Sequence, residues 1–239
     1  MEIEHLARRF ADIPGVVAVS LGGSRADGRA RPDSDWDFGL YYRGTLDPAG
    51  VRALGIDGEV FAPGEWGRVV NGGAWLRVDG VAVDLIYRDL DQVEAWTREA
   101  EAGRFRVYRE VGYVAGIPTY VVAAELACQR VLAGSLPRPA FPAALRASAP
   151  PRWRRLAAGA LAFADAHARR ADTAACAGNL AVAALAEAHA RFTERAEWYL
   201  PEKDMLTRAG LDDVQPIIGA LGDDLRAGVA AMGAVLRLP

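Results

Sequence analysis

Residues 21–42 read LGGSRADGRARPDSDWDFGLYY, and this stretch decides how the whole chain is read. It opens on Gly22, Gly23 and Ser24, crosses a short polar loop, and ends in an apolar run carrying Asp35 and Asp37 one residue apart. In a strand, residues i and i+2 point to one face. Asp35 and Asp37 therefore project together, with Trp36 and Phe38 turned the other way. Two like carboxylates on one face repel unless a positive charge sits between them. Mg²⁺ suits that position, because it takes oxygen ligands and is commonly held by one or two carboxylates together with substrate phosphates. The Gly-Gly-Ser segment in turn suits phosphates: glycines let a ligand approach the backbone, and exposed N–H groups beside a hydroxyl bind phosphate oxygens. Taken singly, each feature has a plain alternative, a simple turn for the first and an exposed strand end for the second.

A third acid links the two. In GVAVDLIY, residues 80–87, Asp84 sits inside an apolar strand, where an unpaired carboxylate is costly to bury. If that strand lies beside the Asp35–Asp37 strand, three carboxylates converge on what would be a two-metal site for displacement at phosphorus.

The surrounding pattern is that of strands first and helices afterwards. EIEHLARRFADI, residues 2–13, places Ile3, Leu6, Phe10 and Ile13 at helical spacing. GVVAVSLG and WDFGLYYRG read as buried strands, and in AWLRVDGVAVDLIYRD the pair Asp79-Gly80 is a two-residue hairpin turn between apolar runs. DLDQVEAWTREAEAG reads as a helix with Asp89 or Asp91 as cap and Gly103 as stop. From about Pro118 the strand signals end. PTYVVAAELACQRVLAG and three further alanine-rich stretches, at 150–171, 173–200 and 211–238, read as helices, and residues 135–151 form the main proline-rich joint. This order predicts an α+β fold: an N-terminal mixed β-sheet with flanking helices over 1–115, then an all-α helical bundle over 116–239.

Bulk properties narrow the function. A formal net charge of -3 argues against a partner of long nucleic acid. Cys128 and Cys176 have no paired spacing that would suggest zinc or a disulfide framework. No apolar run reaches membrane-spanning length and the N-terminus lacks a signal-peptide core, so a cytoplasmic protein without a membrane partner is expected.

GGSRADGRARPDSDWDFGLYY with the later VDLIY resembles the nucleotidyltransferase superfamily that includes DNA polymerase beta, the kanamycin and streptomycin nucleotidyltransferases and the minimal nucleotidyltransferases of bacteria. The shared pattern is Gly-Ser, a spacer, Asp-x-Asp and a third acid on a following strand; it covers about residues 16–90. The resemblance implies a polymerase beta-like catalytic domain. It implies that Gly22, Gly23 and Ser24 contact the triphosphate, that Asp35 and Asp37 ligate two Mg²⁺ ions, and that Asp84 serves the metal nearer the acceptor. The helical half resembles, more loosely, the C-terminal domains of the antibiotic-modifying members. That likeness implies a phosphate-binding role for Lys203, the sole lysine beside 27 arginines, and makes Glu125 a candidate general base alongside Asp84. The reaction implied is transfer of a nucleoside monophosphate from a triphosphate, with ATP the expected one, to a hydroxyl of a small acceptor in an interdomain cleft. Two alternatives stand beside it: an AMPylating, antitoxin-like enzyme acting on a protein partner, and a nucleotide-binding regulator without turnover. A homodimer is left open. Trp66, Trp75, Trp96, Trp153 and Trp198 read mainly as packing residues, with one of them available to stack a base or sugar ring.

Overall fold

The computed structural model describes residues 3–26, 28, 31, 34–199, 204–222 and 224–237. The chain divides into two compact units: Met1–Glu99 with Pro118–Ala140, and Ala100–Ile117 with Phe141–Pro239.

The first unit is an α+β layer. Helix α1 (Ile3–Ala11) leads into β1 (Val16–Leu21), the short α2 (Gly23–Ala26) and β2 (Trp36–Tyr42). Then come α3 (Pro48–Arg52), β3 (Asp57–Val60), β4 (Gly73–Val78), β5 (Val81–Asp89) and α4 (Leu90–Glu101). The chain then passes through Ala100–Ile117 of the second unit, where β6 (Val107–Tyr108) pairs with β7 (Ile117–Pro118), and α5 (Val121–Cys128) and β8 (Arg130–Gly134) complete the first unit. The six-stranded sheet runs β3-β4-β5-β2-β1-β8. Only β2 and β5 are parallel; the other neighbours are antiparallel.

Strict alternation builds this sheet. Phe38, Leu40, Val83 and Leu85 turn to one face and are almost fully buried against Ile3, Leu6 and Phe10 of α1. The Phe10 and Phe38 rings meet edge to face at 5.3 Å. The expected hairpin is present: Asp79 and Gly80 have φ of 52° and 80° between β4 and β5. Positive φ at both central residues is the turn that follows the twist of two adjoining strands. Asp89 caps α4, its Oδ1 accepting from the Asp91 N–H at 3.0 Å.

The second unit is a helical bundle built on α6 (Ala143–Ala168), α7 (Thr173–Glu194), α8 (Met205–Arg208), α9 (Val214–Gly219) and α10 (Leu225–Leu236). Every residue of α7 from Ala183 to Ala190 is buried, the mark of a helix enclosed on all sides. Alanines make this close approach possible: Ala157, Ala160, Ala164 and Ala168 form a buried stripe along α6. The one carboxylate in the buried run of α7, Glu187, is held by Arg154 at 3.3 Å and Arg191 at 3.1 Å. His189 stacks on Trp153 with ring centres 4.2 Å apart, and burial pulls its pKa down to about 3, so it is neutral.

Three sequence expectations are corrected. The helix expected over 118–134 is α5 alone; the chain then turns into β8, which pairs antiparallel with β1. The joint expected over 135–151 ends early, because α6 starts at Ala143 and contains Pro150 and Pro151. The helix expected over 211–238 is two helices, α9 and α10, parted near Gly219 and Gly222.

Candidate functional site

The two faces of the sheet divide the labour. One is the apolar face under α1. The other carries Asp37, Gly39 and Tyr41 on β2 and, in register, Asp84, Ile86 and Arg88 on β5. Asp37 and Asp84 stand directly opposite each other in the parallel ladder, both partly exposed. The row continues across the sheet. Trp75 of β4 stands opposite Asp84, and Glu59 of β3 stands opposite Trp75. On the other side the Gly22 N–H donates to the Asp37 carbonyl at 2.7 Å. The sheet therefore carries, in order, Glu59, Trp75, Asp84, Asp37 and the Gly-Gly-Ser segment.

Gly23 shows how tightly the segment and the acid meet. Its φ is +60°, and a Cβ built there would lie 1.8 Å from Asp37 Oδ2. The Asp37 carboxylate thus lies against the Gly23 backbone, and a side chain at that position would displace it. Gly23→Ala is expected to cost at least about 1–2 kcal/mol from the left-handed backbone alone. Gly22→Ala, which meets nothing closer than 3.8 Å, is the tolerated control. Urea midpoints of the two variants check the contrast; equal midpoints would contradict this geometry.

Ser24 lies on α2, partly exposed. Asp35 is exposed and precedes β2 by one residue. Arg25 anchors that approach: its Nε donates to the carbonyls of Ser34 at 3.0 Å and Asp35 at 3.1 Å, and its guanidinium lies 4.1 Å over the Trp36 ring. Sequence reasoning missed Arg25, although its place directly after the Gly-Gly-Ser segment was the available signal.

The other half of this face is roofed by α5. Both oxygens of Glu125 accept from Arg88, at 2.6 Å each. Arg88 is 4% exposed and also donates to the Val70 carbonyl at 2.6 Å. Tyr41 donates to Gln129 Oε1 at 2.8 Å, and burial, reinforced by the nearby Glu125 charge, pushes its phenol well above the ordinary range. Glu125 therefore sits in an ion pair that ties α5 to the sheet. Lys203 lies outside the described residues.

The structure thus brings together Asp37, Asp84, Gly22 and Gly23, with Ser24 and Asp35 at their margins. Among the described residues, no group of three or more acids, histidines or cysteines is gathered closely enough to hold a metal ion. None of the described helices is long and apolar enough to cross a membrane.

Compared with known families and with curated proteins, the chain matches none. Among solved structures it is similar to a nucleotidyltransferase-like protein from Exiguobacterium sibiricum 255-15. The identity is 11% and the TM-score 0.45, over 99% of this chain and 75% of that one.

Proposed function

We propose that this chain transfers a nucleoside monophosphate from a triphosphate, ATP first among them, to a hydroxyl of a small acceptor. The observation that carries the reading is the register pair Asp37–Asp84, flanked on the β1 side by Gly22 and Gly23. The donor set fits a hard cation: carboxylates on neighbouring strands, both partly exposed. Asp37 and Asp84 would hold Mg²⁺, with Asp35, at the margin of the pair, assigned to the metal on the resemblance alone; the ion would supply neutralisation of charge at the transferred phosphoryl group.

In this reading the Gly22–Ser24 backbone and the Ser24 hydroxyl bind the departing phosphates. Asp84 takes the proton of the acceptor hydroxyl; its oxygen bonds to the α-phosphorus, the bond to the bridging oxygen breaks, and pyrophosphate leaves with the electron pair. Glu125 is the less suited proton acceptor, because both its oxygens are engaged by Arg88. Lys203 is assigned to the phosphates on the resemblance of its surrounding segment alone.

The test is pyrophosphate release from each of the four nucleoside triphosphates with Mg²⁺ over a panel of hydroxylated acceptors. It is paired with calorimetric titration of a non-hydrolysable ATP analogue. Binding of the analogue that needs Mg²⁺, weakened by Ser24→Ala by about 1 kcal/mol, the scale of one hydrogen bond, is the expected result. No binding of any triphosphate would remove the proposal.

A further inference from the structure

We infer that the Pro150–Pro151 face of α6 is a docking groove for a short acidic segment of another protein, bound in extended form. The groove lies within the second unit and shares no residue with the Asp37–Asp84 site.

Two consecutive prolines stand inside a helix of 26 residues. Neither carries an N–H, so the carbonyls of Arg146 and Ala147, four residues earlier, lack the donors that would close their helical turns. Backbone acceptors are ordinarily paired, and here the helix itself leaves two of them open. The same four residues line one end of a groove of about 560 Å³, and Arg154, Arg155 and Ala158 of α6 with Glu194 of α7 complete its described lining. The α6 positions recur at i, i+1, i+4 and i+5, which is one face of a helix. From Arg146 to Ala158 that face runs about 18 Å at 1.5 Å per residue. An extended chain covers the same distance in about five residues.

Charge sets the sign of the occupant. Three guanidinium groups line the groove against one carboxylate. That carboxylate is already matched: both Glu194 oxygens accept from Arg154, at 3.1 and 2.7 Å. Arg146 donates through Nε to the Glu194 carbonyl at 2.9 Å, and its Nη groups donate to nothing among the described residues. Arg155 is exposed and has no hydrogen-bond or ion-pair partner among them. Two guanidinium groups therefore present N–H pairs of the geometry that takes a carboxylate in two-pronged fashion.

The rest of the lining supplies the other half of the recognition. The carbonyls of Arg146 and Ala147 call for N–H donors, which a peptide backbone carries and a phosphate chain does not. The exposed Pro151 ring, with Ala147 and Ala158, forms an apolar strip that suits a side chain set between the acids. Carboxylates, backbone N–H groups and an apolar side chain within about five residues make an acidic peptide, a ligand that arginine clusters recurrently read.

The test titrates end-blocked pentapeptides into the full chain by calorimetry. The probe is Asp-Glu-Phe-Glu-Asp. One control, Asn-Gln-Phe-Gln-Asn, removes the charge; a second, N-methylated at its central amides, removes backbone donors. The probe is expected to bind, less tightly as salt rises, and both controls are expected to bind at least about ten-fold more weakly, the equivalent of one charge-assisted hydrogen bond. Arg155→Gln is expected to weaken the probe by about the same factor, with thermal melts verifying that the variant is folded. Pro151→Ala returns a donor to the Ala147 carbonyl, so it is expected to raise the melting temperature while weakening the probe, a pairing that a purely structural role would not produce. No binding at millimolar probe, equal binding of the neutral control, or an affinity untouched by Arg155→Gln overturns the inference. Displacement of the probe by a non-hydrolysable ATP analogue with Mg²⁺, or by a short oligouridylate, overturns it as well and assigns the groove to a nucleotide or an RNA strand.

Discussion

Asp37→Asn is expected to lower nucleotide transfer about a thousand-fold, the rate equivalent of the several kcal/mol that charge neutralisation at phosphorus supplies. The substitution keeps shape and removes charge, so the fold should stand. The same change should remove any rise in melting temperature that Mg²⁺ gives the wild type. Steady-state pyrophosphate release and melts with and without Mg²⁺ measure both effects. A variant that keeps its full rate and its Mg²⁺ response would show that the metal is held elsewhere.

Arg88→Met should be the most damaging single change to stability in the first unit, at about 3–5 kcal/mol, the usual result of removing one partner of a buried ion pair. Methionine fills much of the same volume, so lost charge rather than lost packing dominates. What is lost is the Arg88 partner of the Glu125 carboxylate and the Arg88 hydrogen bond to the Val70 carbonyl. Adding Glu125→Gln to Arg88→Met should recover part of the loss, since the stranded carboxylate is then neutral. Urea denaturation of the two singles and the double gives the coupling energy. Single variants each costing less than about 1 kcal/mol would mean that the pair is a surface-like bridge of little weight.

Local patterns made much of the first unit legible. Apolar residues at helical spacing locate α1, and Asp79-Gly80 marks the hairpin because two consecutive positive φ values demand such residues. Asp37 and Asp84 stood out as acids inside apolar strands. That they would be register partners was not legible, since pairing of β2 with β5 depends on a crossover through β3 and β4. The role of Glu125 was hidden for the same reason: its partner, Arg88, is 37 residues away. β8 was lost in composition. Its five residues follow an alanine-rich helix without a glycine or proline to mark the change. Pro150 and Pro151 misled in the other direction. They cost α6 two backbone donors, yet tertiary burial of Ala149, Pro150 and Trp153 keeps the helix going.

The late arrival of β8 bears on the order in which the chain can be made. The outer edge of β1 finds its neighbour only when Arg130–Gly134 appears, more than a hundred residues after Ala18 and its companions leave the ribosome. In between comes Ala100–Ile117, which belongs to the other unit. The nascent chain thus holds an open strand edge through the synthesis of a foreign segment. Closing so long a loop costs little at equilibrium, since each doubling of length adds only about 0.6 kcal/mol, but distant contacts slow the search for the native fold. No single cut separates the two units either. A chain ended at Glu99 would keep Asp37, Asp84 and the glycines while leaving Tyr41, Arg88 and the edge of β1 without the partners that α5 and β8 bring.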